Sequence, residues 1–299
     1  MSRMVYLNGE IVPEEMAKVS VFDHGYLYGD GIFEGIRAYN GLVFKLDEHI
    51  KRLFQSAKTI MLNLDLSKEE IKEAIIKTVR ANKLKDAYIR VVVSRGIGDL
   101  GLDPDKCKKP NFVIIASEIA LYDQELYANG LKVMTVPTRR NGAEMVNPRI
   151  KSLNYLNNIM ARIEANLMGV PEAIMLNNEG YVAECTGDNI FIIEGKNLIT
   201  PPRYAGLLKG IKREVAMEIG ESLGLKIKEE LFTRYDLYNA DECFLTGTAA
   251  EVIPVVEIDG RVIAEGKPGQ YTQKIVKEFR DYVNSHGVPV YPEDQEKVS

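Results

Sequence analysis

Hydrophobic and polar positions divide the first third of the chain into hairpins followed by helices. Asn-Gly pairs at 8–9 and 40–41 each separate two apolar runs, which is a strong signal for β-hairpins. Apolar residues at helical spacing predict a helix over residues 48–60, and Ser67-Lys68-Glu69-Glu70 is a capping box that opens a second helix reaching about residue 82. Apolar runs at 88–93 and 112–116 then predict two strands.

The rest of the chain mixes strands and helices without regular alternation. Strands are predicted at 132–136, 173–176, 181–183, 189–193, 242–245 and 252–258, and helices at about 154–168, 211–223 and 271–284. Residues 121–130 show no clear period and are interpreted as an interdomain connection. We therefore predict an α+β protein rather than a doubly wound sheet. It would have a small N-terminal domain at 1–120 and a larger C-terminal domain at 131–299.

Composition and charge exclude several functional classes. The chain has 299 residues, of which 45% are hydrophobic and 27% charged, with a net charge of −5. No basic stripe is visible, so nucleic acid and anionic membranes are poor candidates as partners. No apolar stretch could span a bilayer and no signal peptide is visible, so we predict a cytoplasmic location. The three cysteines and three histidines are scattered without metal-ligand spacing, and we expect no metal.

The first candidate for chemistry is a lysine and a tyrosine near the start of the helix predicted at 154–168. Lys151 and Tyr155 are four residues apart, so if the helix includes both, their side chains lie on one face. A lysine amine can condense with an aldehyde cofactor, and a neighbouring phenol can hydrogen-bond the ring oxygen of that cofactor. A solvated lysine at a helix end is the commoner alternative, and this stretch alone does not decide between them.

A glycine pattern suggests a competing reaction class. Gly96-Ile97-Gly98-Asp99-Leu100-Gly101 fits G-x-G-x-x-G after a predicted strand, as in nicotinamide-binding oxidoreductases. That fingerprint also needs a helix that opens at the last glycine, to bind the pyrophosphate. Residues 102–110 instead contain two prolines and a cluster of lysines. A glycine-rich surface loop or active-site loop is the better interpretation.

Six segments of the chain together carry a resemblance to a known family. They are residues 28–37, 49–53, Lys151-x-x-x-Tyr155, 184–189, 209–211 and 246–251. With this spacing the chain resembles the fold-type IV pyridoxal-phosphate aminotransferases, and within them the branched-chain amino acid aminotransferases. The resemblance covers about residues 4–283 and implies the two-domain architecture of that fold, with the cofactor between the domains. D-amino acid aminotransferases and aminodeoxychorismate lyases share the fold and remain alternatives.

The resemblance implies which residues would hold pyridoxal 5'-phosphate. Lys151 would attach the cofactor as a Schiff base and move the reacting proton. Glu184 would keep the pyridine nitrogen protonated, because an anion favours the cationic ring, and Tyr155 would hydrogen-bond the phenolate oxygen. The phosphate would be bound by Arg52, Thr248 and the helix start at Gly210, Ile211 and Lys212. Relatives usually carry threonine where this chain has Lys212, and the contact survives that change if it is made mainly by the backbone N–H.

The resemblance also implies transamination between a branched-chain L-amino acid and 2-oxoglutarate, so one pocket must accept an apolar group and a carboxylate in turn. Arg90 would bind the glutamate side-chain carboxylate, helped by Tyr28; the alternative is a strand arginine that points to solvent. The N–H groups near Ala249 and Ala250 would bind the α-carboxylate. The other implied pocket residues are Phe33, Gly35 and Tyr155, then Leu100 and Leu102 from the neighbouring subunit of a homodimer or higher homo-oligomer, with Tyr122 only loosely aligned.

Overall fold

The computed structural model describes residues 2–118 and 122–292. The chain folds into two compact units. The first comprises Met1–Ala120, Ile150–Asn154 and Val283–Ser299, and the second comprises Leu121–Arg149 and Tyr155–Tyr282. These units differ from the domain limits predicted from the sequence, because the short segment around Lys151 and the chain from Val283 onward belong to the first unit.

The first unit is built on a seven-stranded antiparallel sheet. In the order in which they lie side by side, its strands are β16 (Val288–Pro289), β4 (Leu42–Val43), β3 (Gly31–Tyr39), β5 (Ala87–Ser94), β6 (Asn111–Ser117), β1 (Met4–Leu7) and β2 (Glu10–Pro13). Both predicted hairpins are confirmed. The Asn8-Gly9 and Asn40-Gly41 pairs have positive φ at both positions, as the tightest hairpin turns require.

Helices pack against this sheet and complete the first core. They are α1 (His24–Tyr28), α2 (Leu46–Thr59) and α3 (Lys68–Ala81). The predicted capping box is confirmed, since Ser67 Oγ accepts from the Glu70 N–H at 3.2 Å and the Glu70 carboxylate accepts from the Ser67 N–H at 2.7 Å. The apolar faces of α2 and α3 join inward-facing residues of β3 and β5, such as Ile36 and Ile89, in one buried cluster.

The second unit is built on a nine-stranded mixed sheet. Its strands in spatial order are β12 (Lys226–Glu229), β11 (Asn197–Thr200), β10 (Asn189–Glu194), β13 (Glu242–Gly247), β14 (Glu251–Ile258), β7 (Leu131–Thr135), β8 (Ala173–Leu176) and β9 (Val182–Cys185), with β15 (Arg261–Val262) pairing with β14. The pairs β11–β12, β14–β7 and β7–β8 are parallel and the others antiparallel. This mixture confirms the predicted α+β class.

The helices of the second unit correct two predictions. They are α4 (Gln124–Asn129), α5 (Leu156–Leu167), α6 (Ile211–Ser222), α7 (Arg234–Asn239) and α8 (Gln270–Ser285). Tyr155 is the residue before the first turn of α5, so Lys151 is not helical, and the idea that both share a helix face is wrong. Residues 121–130 include α4, a helix too short to show a period; Leu121 lies outside the described residues.

The described part of the chain contains neither a membrane helix nor a metal cluster. None of its helices is long and apolar enough to cross a membrane. Within the same residues, no group of three or more His, Cys, Asp or Glu side chains is placed to hold a metal ion. These findings concern residues 2–118 and 122–292 alone.

Candidate active site

The segment that carries Lys151 is an extended piece of chain held against β3. The N–H of Phe33 donates to the Lys151 carbonyl at 2.9 Å, and the N–H of Leu153 donates to the Gly31 carbonyl at 2.9 Å. Strand β4 pairs only with the far end of β3, which leaves this edge open to a further short strand. The Lys151 N–H donates in turn to Ser56 Oγ on α2 at 3.2 Å. The lysine backbone is therefore fixed through both its N–H and its carbonyl.

The Lys151 side chain is half-buried and lies against an aromatic ring. Its Nζ is 4.5 Å from the centroid of the Phe33 ring, which is within the range of a cation–π contact. The Cζ atom of Arg90 is 4.6 Å from the same centroid. Phe33 thus brings the predicted cofactor lysine and the predicted carboxylate-binding arginine to one apolar surface.

Arg90 is held by a neighbouring tyrosine rather than pointing freely into solvent. Burial alternates along most of β5, so Tyr88 and Arg90 share one face of the strand. The Arg90 Nη2 donates to Tyr88 Oη at 2.7 Å. Gly35 is paired with Arg90 across the sheet, and a Cβ atom built on Gly35 would lie 2.5 Å from Tyr88 Oη. The absence of a side chain at Gly35 is what lets the tyrosine hydroxyl lie across the neighbouring strand.

Arg52 is paired with a buried carboxylate in a three-residue cluster. Its Nε donates to Glu34 Oε1 at 2.7 Å and its Nη2 donates to Glu34 Oε2 at 2.7 Å. The Nδ1 atom of His49, one helical turn earlier on α2, lies 2.8 Å from Glu34 Oε2. Burial alone would raise the pKa of Glu34, but the Arg52 guanidinium and His49 lower it to about 2. Glu34 is therefore an anion that holds one edge of the Arg52 guanidinium.

The glycine-rich loop at 96–101 is tied to α1, and no α-helix opens at Gly101. Tyr28 Oη donates to the carbonyl of Leu100 at 2.5 Å. Leu100 and Leu102 are 69% and 79% exposed, large values for leucine. A short 3-10 turn over Pro104–Lys106 follows instead of the helix that a dinucleotide fingerprint needs. The loop therefore presents two apolar side chains at its surface beside Tyr28.

In the second unit, Glu184 is a buried carboxylate and not an exposed strand-end residue. It lies on β9 with 5% of its surface exposed. Arg140 Nε donates to its Oε1 at 2.7 Å, while Asn189 Nδ2 and the Leu208 N–H donate to its Oε2 at 3.2 and 3.0 Å. Three donors from different parts of the unit leave the carboxylate with one orientation. The charge of Arg140 compensates that of Glu184.

The predicted phosphate-binding helix start is present and reaches the Glu184 cluster. Gly210 is the N-cap of α6 and makes no side-chain cap. A Cβ atom built on it would lie 1.9 Å from Asn189 Oδ1, so only glycine allows the two to approach. Ile211 begins the helix. Lys212 is buried, and its Nζ lies 5.6 Å from the centroid of Phe279 on α8, so its ammonium is directed to the helix packing rather than to the start of α6.

The turn between β13 and β14 carries the three predicted residues Thr248, Ala249 and Ala250. Thr248 is half-buried, Ala249 is exposed and Ala250 is buried. Tyr127 Oη donates to the Ala250 carbonyl at 3.1 Å and holds the turn from α4. Asp188, in the loop before β10, packs closely against the start of this turn, since a Cβ atom built on Gly247 would lie 1.7 Å from Asp188 Oδ1.

Two tyrosines of the second unit complete the predicted set. Tyr155 is half-buried and immediately precedes α5. Tyr122 packs against the buried cluster of this unit. Burial, with the nearby carboxylates of Asp188 and Glu172, raises the pKa of Tyr122. Tyr122 is therefore a neutral phenol at neutral pH.

Sequence reasoning missed the residues that orient the predicted ones. Arg140 and Asn189 hold Glu184, while Tyr88 holds Arg90 and Glu34 holds Arg52. Two of these partners are close in sequence, since Tyr88 lies two positions before Arg90 and Asn189 lies five positions after Glu184. Arg140 and Glu184 are 44 positions apart, and nothing in a single sequence pairs them.

Comparison with known proteins assigns the chain to a family. Residues 31–258 match the sequence model of the amino-transferase class IV family, which is more than half of the chain. The chain belongs to the class IV aminotransferases. Membership in this family also removes the nicotinamide-dependent alternative.

Three relatives of this class IV aminotransferase match nearly its whole length. A protein of Methanocaldococcus jannaschii, provisionally named a branched-chain-amino-acid aminotransferase, is 52% identical over 97% of this chain and 99% of its own. The structure of the Thermoproteus uzoniensis branched-chain aminotransferase with norvaline has a TM-score of 0.91 at 42% identity, covering 97% of this chain and 100% of that one. The T.th. branched-chain amino acid aminotransferase with pyridoxamine 5'-phosphate has a TM-score of 0.92 at 34% identity, with 99% and 97% covered.

These matches confirm the resemblance on which the class IV interpretation depends. The fold-type IV architecture and the branched-chain aminotransferase family are both confirmed, and so is pyridoxal phosphate as the family's cofactor. Further structures of the T.th. enzyme hold N-(5'-phosphopyridoxyl)-L-glutamate and 4-methylvaleric acid. The first ligand contains glutamate, whose side chain ends in a carboxylate, and the second has a branched aliphatic chain.

Proposed function

We propose that this protein is a pyridoxal-phosphate-dependent transaminase acting on leucine, isoleucine and valine. It transfers the amino group to 2-oxoglutarate and produces the branched-chain 2-oxo acid and L-glutamate. The observation that carries the proposal is the pairing of Lys151 and Arg90 over the ring of Phe33, at 4.5 and 4.6 Å from its centroid. A reactive amine beside an apolar ring and a guanidinium suits an enzyme that must accept aliphatic and acidic substrates in turn.

The donor sets of both units fit the cofactor. When bound, pyridoxal phosphate supplies an aldehyde that takes up amino groups and a ring that accepts electrons. Lys151 is the attachment point, and its amine takes and returns the proton at the reacting carbon. Glu184, fixed by three donors, suits a pyridinium N–H. Tyr155 offers a phenol to the ring oxygen.

Phosphate binding fits the start of α6. Gly210 provides no side-chain cap, so backbone N–H groups of Ile211 and Lys212 can serve an anion. We assign this contact to the backbone, because the Lys212 ammonium lies against Phe279. Arg52 supplies the guanidinium for the phosphate and Thr248 a hydroxyl.

We assign substrate selection to Phe33, Gly35 and Arg90 of the first unit and to the turn after β13. Phe33 and Gly35 give the aliphatic side chain an apolar surface, and Arg90 pairs with the side-chain carboxylate of glutamate, with Tyr28 beside it. The N–H groups near Ala249 and Ala250 take the α-carboxylate. The ligands of the T.th. relative support one pocket for both kinds of side chain.

The protein is proposed to work as a homodimer or larger homo-oligomer. Helix α5 has an exposed apolar stripe at helical spacing, formed by Leu156, Ile159, Met160, Ile163 and Leu167. Exposed apolar stripes of this kind are usually covered in an assembly, and a second copy is the occupant we propose. Leu100 and Leu102 would then act in the partner's site.

The oligomeric state is tested by sedimentation, which should give the mass of a dimer or of a larger homo-oligomer. Subunits with Lys151→Ala and with Leu100→Asp plus Leu102→Asp should recover activity when mixed, and a fully active monomer would contradict the arrangement.

An amino-donor screen against 2-oxoglutarate tests the function. Leucine, isoleucine and valine should be the preferred donors, and bound cofactor should give visible absorbance. Lys151→Ala should abolish turnover, because the cofactor loses its attachment point, whereas Lys58→Ala, at an exposed lysine of α2, serves as the control. A preference for D-amino acids, or pyruvate release without an oxo-acid acceptor, would favour the two related alternatives. A Lys151→Ala protein of near wild-type rate would refute the proposal. The cytoplasmic location stays a prediction.

A further inference from the structure

Arg52 is held by the buried carboxylate of Glu34, which has no other role in the proposed function. Glu34 is 1% exposed and accepts from two nitrogens of Arg52 and from His49. We propose that Glu34 is a positioning residue that orients Arg52 for the phosphate of the cofactor, with His49 holding Glu34 in turn. This inference rests on the proposed function, in which Arg52 binds that phosphate.

The geometry of the guanidinium explains why orientation matters here. An arginine side chain has several rotatable bonds, and ordering it costs rotamer entropy. Glu34 occupies the Nε–Nη2 edge in a bidentate pair, with both distances at 2.7 Å. That pairing fixes the plane of the guanidinium and directs its far end, with Nη1, away from Glu34. Preorganisation of this kind raises affinity because the ligand no longer has to order the side chain.

Glu34 also has an opposing effect on the phosphate. Its carboxylate offsets part of the positive charge of Arg52 and repels a phosphate dianion. Against this, Arg52 is only 11% exposed at its side chain, and a guanidinium without its partner would turn outward to be hydrated. The proposal is that orientation outweighs repulsion, so removal of Glu34 should weaken phosphate binding.

The same unit contains a matched ion pair that serves as a control. Arg95 Nε and Nη2 donate to the two carboxylate oxygens of Asp30 at 2.9 and 3.0 Å, a bidentate pair like that of Arg52. Arg95 also donates to the carbonyls of Met61 and Ile60 at 2.8 and 2.7 Å. Its guanidinium is therefore used to tie the end of α2. Asp30→Asn should cost stability without touching cofactor binding.

The experiment compares two probes that differ only in the phosphate group. Apoenzyme is titrated with pyridoxal phosphate and with pyridoxal, and the dissociation constant of pyridoxal divided by that of pyridoxal phosphate isolates the phosphate contribution. Glu34→Gln should weaken pyridoxal phosphate binding by about tenfold or more and leave pyridoxal within about twofold, as loss of a charge-assisted bidentate contact predicts. Asp30→Asn should leave the ratio unchanged, and its unfolding temperature shows the effect of losing such a pair.

Each outcome separates the inference from the function on which it rests. If Arg52→Met keeps the wild-type ratio, Arg52 does not bind the phosphate and that part of the proposed function fails. If Arg52→Met lowers the ratio but Glu34→Gln does not, the inference alone fails. Tighter binding of pyridoxal phosphate by Glu34→Gln would also overturn it, since repulsion would then outweigh orientation. Should Glu34→Gln not fold, Glu34→Asp replaces it, because the shorter acid keeps the charge but cannot keep both contacts.

Discussion

The two units hold their functional side chains in different ways. In the first, Lys151 and Arg90 are half-buried and lie over one aromatic ring, at 4.5 and 4.6 Å from its centroid. In the second, Glu184 is 5% exposed and accepts hydrogen bonds from three donors. A ring face tolerates sideways movement of a cation, whereas a carboxylate bound by three donors has one orientation.

This difference corresponds to the tasks proposed for each group. Lys151 must exchange partners within every turnover, and Arg90 must meet a carboxylate in one half-reaction and an aliphatic chain in the other. Glu184 keeps one proposed partner throughout, the pyridine nitrogen of the cofactor, and only stabilises its protonated form. The comparison suggests that groups which exchange partners lie on adaptable aromatic surfaces, while a group that tunes the cofactor is fixed by a hydrogen-bond network.

Two substitutions of different severity test how the second unit holds the Glu184 carboxylate. Glu184→Gln should lower kcat by at least roughly a hundredfold, or ~2.7 kcal/mol of barrier, because the ring loses its anionic partner. Asn189→Ala removes one of the three donors and should lower kcat by about tenfold. Steady-state kinetics measure both. Equal losses would show that the network acts as one unit, and an unchanged kcat in Glu184→Gln would mean that another group does this work.

In the first unit, the contribution of Glu34 to the free energy of unfolding should be lost at low pH. Its pKa is lowered to about 2 from an ordinary 4.5, so its stabilisation is complete above pH 4.5 and is lost as the pH falls towards 2. By pH 3 the loss is about 2 kcal/mol. The gap in unfolding free energy between wild type and Glu34→Gln should therefore narrow over this range. Denaturant titrations at several pH values measure the gap, and a constant gap would show that the ion pair is not its source.

Much of the fold could be predicted from the sequence, since hairpins and the capping box depend on neighbouring residues, while the roles of the site residues stay predictions. The Asn8-Gly9 turn and the helix start at Ser67 are examples. The segment around Lys151 could not be predicted, because its pairing with β3 joins residues more than a hundred positions apart. Arg140 and Glu34, which orient Glu184 and Arg52, could not be predicted either, because they lie 44 and 18 positions away and belong to no local pattern.

Arg90 gives the most direct test of the account, because its proposed role differs between the two half-reactions. Single-turnover kinetics of Arg90→Met with glutamate and with leucine should show a loss of about 2–5 kcal/mol for glutamate, as when one partner of a buried charge pair is removed. The leucine half-reaction should change little. Arg90→Lys keeps the charge without the bidentate fork and should lie between wild type and Arg90→Met with glutamate. Equal losses with both donors, or no loss with either, would contradict the account.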